Sequence, residues 1–201
     1  MTDLPRLYLV RHGETAWSLA GRHTGITELP LTAHGEEEAR RLTPVLACID
    51  FTHVFTSPRL RARRTCEAVA LHGCGQVTDA LAEWNYGDYE GLRTAEIHRD
   101  RRDWLLWRDG CPQGESAAAV TQRADVLISR LRALTGNIAL FSHGQFGTAL
   151  ALRWIGLPVI HGEHFPLYPA SLSILAEASG HPGIAAISLW NFTPAEAPPT
   201  G

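Results

Sequence analysis

The chain has 201 residues, 45% of them hydrophobic and 19% charged, with a formal net charge of -3. That length gives one domain room for a substantial core and a small insert, and the charge balance excludes a general attraction to nucleic acid or acidic membranes, so any cationic site must be local. Cys48, Cys66, Cys74 and Cys111 form no CxxC pair and match no zinc spacing, no signal-peptide layout is visible, and no apolar run approaches 18 residues; the expectation is a cytoplasmic protein with reduced thiols and no membrane span.

Leu7-Tyr8-Leu9-Val10 reads as a buried strand, and Arg11-His12-Gly13-Glu14-Thr15 follows it directly. Side chains at the carboxyl end of such a strand face the crevice where open α/β sheets bind ligands. The stretch from Leu31 to Ala39 opens a helix, with Thr32 as N-cap and three glutamates as a solvated first turn. A second strand over 51–56 ends at Ser57-Pro58, which starts a helix bearing Arg59, Arg61, Arg63 and Arg64. A short third strand covers 76–78 and leads to Leu81 and Glu83.

From about 84 to 113 the composition turns aromatic and charged, which predicts a helical insert or lid over the active edge of the sheet, its aromatic residues mostly core. A long amphipathic helix is expected over 114–134, with Val120, Ala124, Leu127, Ile128 and Leu131 on one face. Strand 138–141 runs into Ser142-His143-Gly144, and helix 146–155 follows. Strands 171–176 and 184–189 close the pattern, and Pro194–Gly201 reads as a frayed tail. The alternation predicts a three-layer α/β/α sandwich around a mostly parallel sheet, with residues 1–201 as a single domain.

Two histidines at strand ends, His12 and His143, converge only if their strands are neighbours. Phosphoryl transfer needs positive groups on the non-bridging oxygens, an in-line nucleophile and a proton donor for the leaving oxygen. The residues supply each part. A neutral His12 attacks phosphorus, Arg11 and Arg61 hold the oxygens, and a protonated His143 adds a further donor. Glu83 gives its proton to the leaving alkoxide, then takes one from water. The remaining histidines, among them His23 and His34, read as structural or surface residues, and Glu14 and Glu90 as mainly structural.

In order, Arg11-His12-Gly13-x-Thr15, Thr24-Gly25 with Leu31-Thr32-x-x-Gly35, Ser57-Pro58-x-Leu60-Arg61-Ala62-x-x-Thr65, Leu81-x-Glu83 with Gly87-Asp88-Tyr89-Glu90-Gly91, and Ser142-His143-Gly144 resemble the signature segments of the histidine phosphatase superfamily and its phosphoglycerate mutase-like branch 1. The resemblance implies a phosphoglycerate mutase-like fold and a phosphatase that forms phosphohistidine at His12 without metal or cofactor. It further implies a phosphate pocket of Arg11, Arg61 and His143 with Glu83 as proton donor. Ser18 stands where mutases have an asparagine on the phosphate, and Thr24 and the Gly144 N–H stand beside the pocket.

Trp17-Ser18, the 83–91 segment and Trp107 to Glu115 are similar to fungal sedoheptulose-1,7-bisphosphatase-like phosphatases, whose pattern has an arginine where this chain has Thr148. The expected partner is a small phosphate ester, with a homodimer left open. Two alternatives stand beside hydrolysis: mutase-type phosphoryl transfer, and a non-catalytic adaptor for phosphorylated proteins.

Overall fold

Residues 4–69 and 75–194 are described by a computed structural model, and six strands in it form one sheet. They are β1 (Arg6–Arg11), β2 (Phe51–Thr56), β3 (Gln76–Val77), β4 (Asn137–Ser142), β5 (Leu172–Glu177) and β6 (Ala185–Phe192), in the spatial order β3-β2-β4-β1-β5-β6. The first four run parallel, and β5 lies antiparallel to both β1 and β6. The sheet is therefore mostly parallel, as the alternation predicts.

Among the described residues eight α-helices join the strands: α1 (Ala16–Leu19), α2 (Ala33–Arg41), α3 (Thr43–Leu46), α4 (Leu60–Ala68), α5 (Thr94–Asp100), α6 (Leu106–Asp109), α7 (Ala117–Leu131) and α8 (Gly144–Trp154). Strand side chains alternate between faces, and the packing follows that alternation. Leu7, Leu9, Ile138 and Leu140 face α7 and α8 through Val120, Ala124, Leu127, Phe146 and Leu150. Tyr8, Val10, Ala139 and Phe141 face the other way, onto Leu42, Leu46, Cys66 and Val69 around α2, α3 and α4. The result is three layers. None of the described helices is long and apolar enough to cross a membrane.

Several boundaries differ from the sequence expectation, each for a local reason. Helix α7 starts at Ala117 because Ser116 caps it, its Oγ accepting from the Ala119 N–H at 3.1 Å. Ser57-Pro58 forms a turn rather than the first helical turn, since Arg59 is extended and its N–H donates to Ser57 Oγ. Helix α8 begins two residues early, directly after His143. The 84–113 segment is less helical than expected. It holds α5, α6 and a 3-10 turn (Gly87–Tyr89), and buries Trp84, Trp104 and Trp107 against the α7–α8 side of the core. The 194–201 tail falls almost wholly outside the described residues.

Candidate active site

Strands β1 and β4 are direct neighbours, with Arg11 in register with Ser142. Both chain segments leave the sheet at the same edge, and the His12 and His143 rings lie 5.3 Å apart, centroid to centroid. The two strand-end histidines do converge.

The Gly13 backbone crosses the Gly35 backbone so closely that a Cβ on Gly13 would lie 2.3 Å from the Gly35 carbonyl oxygen. Only glycine fits such a crossing. It explains why the 11–15 and 31–35 motifs travel together. Thr65 completes the support, its Oγ1 accepting from Gly13 N at 3.0 Å while donating to Arg61 O at 2.8 Å.

His12 is nearly fully buried, and its Nδ1 lies 2.8 Å from the Gly13 carbonyl. A carbonyl only accepts, so Nδ1 carries the proton and Nε2 keeps its lone pair. Burial, then the charges of Arg61 and Arg11, hold the His12 pKa well below the ordinary 6.5. The nucleophilic form is the resident one. Beside it Arg11 donates from Nη1 to the Leu167 carbonyl, whereas its buried Nε has no hydrogen-bond partner. An unmet buried donor costs about 1–3 kcal/mol.

Arg61 is fully buried and engages protein on several sides. Its Nε donates to His143 Nδ1 at 3.2 Å, Nη1 to Thr27 O at 3.0 Å, and Nη2 to Thr24 O and Gly25 O at 2.9 and 3.0 Å. Because an arginine only donates, His143 Nδ1 accepts, and its Nε2 proton goes to Ser57 Oγ at 2.7 Å. Burial first, then Arg61, keep the His143 pKa well below 6.5. The sequence expectation of a protonated His143 donor is therefore not the state described here, in which a neutral ring is tied at both nitrogens. From the other side of the 24–27 loop, Glu90 accepts the N–H groups of Gly25 and Thr27 at 2.9–3.0 Å.

Glu83 sits at the start of α8. Its Oε1 accepts from Trp84 N and Phe146 N, both at 2.8 Å, and Oε2 accepts from Gln145 N at 3.1 Å. Two donors fill Oε1, so Oε2 is the atom with room for a proton. Arg123 braces the segment from behind, donating to Ala82 O at 2.7 Å and pairing with Glu115 at 2.9 Å, while its guanidinium lies 4.0 Å from the centre of the Phe146 ring. Replacing Arg123 with methionine is expected to destabilise the fold by about 1–3 kcal/mol, because carbonyls and a carboxylate lose their donor. Denaturant midpoints test this, and an unchanged midpoint would refute the brace.

Arg11, His12, Ser18, Thr24, Glu83 and Gly144 line one cavity of about 350 Å³. Arg61 and His143 stand behind its wall. Ser18 is committed locally: its hydroxyl donates to Thr15 O at 3.1 Å and accepts from Thr15 N at 2.9 Å, closing a capping box on α1. Thr24 turns its hydroxyl to Arg22 O and its carbonyl to Arg61.

The sequence reading did not single out Arg22, Gln145 and Glu163, which also line the cavity, took Tyr86 with the other aromatics as mostly core, and assigned His23 no site role. His23 stacks on Tyr86 at 4.7 Å, and burial pushes its pKa down to about 4. The signal for Arg22 and His23 was their place directly before the Thr24-Gly25 motif.

Three buried or half-buried histidines with lowered pKa values set the sign of a pH effect. In acid the unfolded chain takes up protons that the native protein refuses, so their stabilising contribution is complete above pH 6.5 and declines as pH falls towards 4. The melting temperature is expected to fall between about pH 7.5 and about pH 5, with a shallower fall in His23→Gln. Equal slopes in the two proteins would remove His23 from the account.

A cavity lined by an unprotonated histidine, a guanidinium and a carboxyl group fits a phosphoryl-transfer class of protein. Comparison with known proteins gives the family. The profile of the histidine phosphatase superfamily (branch 1) matches residues 7–191. The chain is 43% identical to an acid phosphatase of Mycobacterium tuberculosis over 92% of both chains. It is 38% identical to sedoheptulose 1,7-bisphosphatase of Saccharomyces cerevisiae over 77% of this chain and 69% of that one. A solved open reading frame product of Mycobacterium tuberculosis superposes with a TM-score of 0.89 at 39% identity, covering 95% of this chain and 99% of that one. This chain belongs to the histidine phosphatase superfamily, branch 1.

Proposed function

We propose that the protein is a phosphoric monoester hydrolase acting on small phosphorylated metabolites through a phosphohistidine at His12. The observation that carries this reading is that His12, Arg11 and Glu83 line one cavity, with the lone pair of His12 Nε2 free and Glu83 Oε2 holding a single donor. The phosphatase names of the relatives support the same class.

In the first step Nε2 attacks phosphorus while the bond to the leaving oxygen breaks, and Glu83 Oε2 delivers the proton that this oxygen needs. Arg11 and Arg61 supply the positive charge for the non-bridging oxygens. Arg61 reaches that task from a fixed seat, since the 24–27 carbonyls and His143 hold its plane. In the second step Glu83 takes a proton from water as the water attacks the phosphohistidine, and His12 is restored. A cavity of about 350 Å³ lies near the lower end of the roughly 300–1,000 Å³ typical of small-molecule sites. That size favours a metabolite over a folded protein substrate. Cys48 and Cys111 are unbridged thiols, in keeping with a cytoplasmic enzyme.

Partitioning with methanol tests the intermediate. If every substrate forms the same phosphoenzyme, the ratio of methyl phosphate to inorganic phosphate is constant across leaving groups. A ratio that changes with the leaving group would overturn the two-step reading.

A further inference from the structure

We propose that the cavity is built for substrates that carry one phosphate on a neutral, hydroxyl-bearing body, and that it discriminates against bisphosphates. This rests on the reading of His12, Arg11 and Glu83 given above. A count of charge along the cavity carries the argument. At the reacting end, Arg11 in the wall and Arg61 behind it bring two positive charges, matching the two negative charges of one phosphate monoester. A protonated Glu83 adds none in the first step.

Beyond that end the charged lining residues are Arg22 and Glu163, which cancel. Arg22 is also partly committed, its Nη1 donating to Gly91 O at 2.6 Å. His23 is neutral near pH 7, and the Thr148 hydroxyl donates to Phe165 O at 2.8 Å. A second phosphate would meet no net positive charge, and a dianion taken out of water without compensation is strongly disfavoured. Sugar-like hydroxyls meet the opposite situation. Glu163, Gln145 and His23 offer hydrogen-bonding groups, and Trp107 and Phe165 supply apolar surface.

The place of Glu163 is fixed by packing. The 3-10 turn Val159–His164 rests on Trp107, and a Cβ on Gly162 would come within 2.4 Å of the indole. Trp107 is itself buried in the core. Glu163 therefore projects from an anchored turn, with its side chain about half exposed.

The test is a matched panel: p-nitrophenyl phosphate, fructose 6-phosphate and fructose 1,6-bisphosphate, with kcat/KM measured for the unmodified protein and for Glu163→Lys. The unmodified protein is expected to prefer the monophosphate by about tenfold or more, and Glu163→Lys to move the bisphosphate-to-monophosphate ratio about tenfold upward. A bisphosphate preference in the unmodified protein, or a ratio that Glu163→Lys leaves in place, would overturn the proposal. Absence of turnover on all three, aryl phosphate included, would overturn the phosphatase reading beneath it, which keeps the two failures distinct.

Discussion

His12→Ala is expected to release phosphate from p-nitrophenyl phosphate more slowly by a factor beyond the roughly 10²–10⁴ that a proton-transfer group contributes. The reason is that the substitution removes the bond-forming atom and not an assisting charge. With Nε2 gone, water has to attack directly in a cavity whose donors are aimed at phosphate on His12. The fold should survive, because the ring lies at the cavity wall and its removal costs one hydrogen bond to the adjacent Gly13 carbonyl and an edge contact with His143. A protein with unchanged melting temperature and no detectable transfer to methanol is the expected result. Hydrolysis at the unmodified rate would show that phosphorus is attacked by another group.

Glu83→Gln is expected to divide substrates by their leaving groups. An alkoxide leaves poorly without a proton, so alkyl and sugar phosphates should lose about 10²–10⁴-fold in kcat/KM, which reports the first step. Nitrophenolate needs little help, and aryl phosphate should lose far less in the first step. Glutamine preserves the acceptor at Oε1 for Trp84 N and Phe146 N, but its amide, if turned to the Oε2 side, faces the Gln145 N–H that now donates there. Some loss of stability is therefore part of the prediction, and comparing kcat/KM across leaving groups at one temperature separates it from the chemistry. Equal losses in kcat/KM on alkyl and aryl phosphates would take the proton-donor role away from Glu83.

Much of this was legible in the sequence because the signals are local. An apolar run followed by Arg11-His12 announces a strand and its end, and the same grammar repeats at Ile138 to His143. Thr32 sits where a cap is needed, and the structure places it there. What escaped is either too short to carry a period or depends on contacts between distant segments. The four-residue helix Ala16–Leu19 has no periodicity to read, being held by the Thr15–Ser18 capping box. Glu163 reaches the cavity from a stretch of chain that carries no motif, and nothing in its own neighbourhood predicts it. The ring of His143 is the clearest case. Its type and position pointed to a phosphate donor, but its tautomer follows from Arg61 and Ser57, which only the fold brings to it.

The strand order has a consequence for the life of the chain during folding. Strands β1 and β2 are consecutive in sequence, yet they do not touch; β4 lies between them and bonds to both. Arg6 pairs with Asn137, so this central pairing closes a very long loop before it gains any contact energy. A polypeptide emerging from the ribosome carries His12, Arg61 and Glu83 well before β4, and none of them has its seat until that strand inserts. No shortened chain ending before residue 137 can offer a weaker version of the site. Recovery of activity after dilution from denaturant should follow the slow, global phase of refolding, with no early partial return.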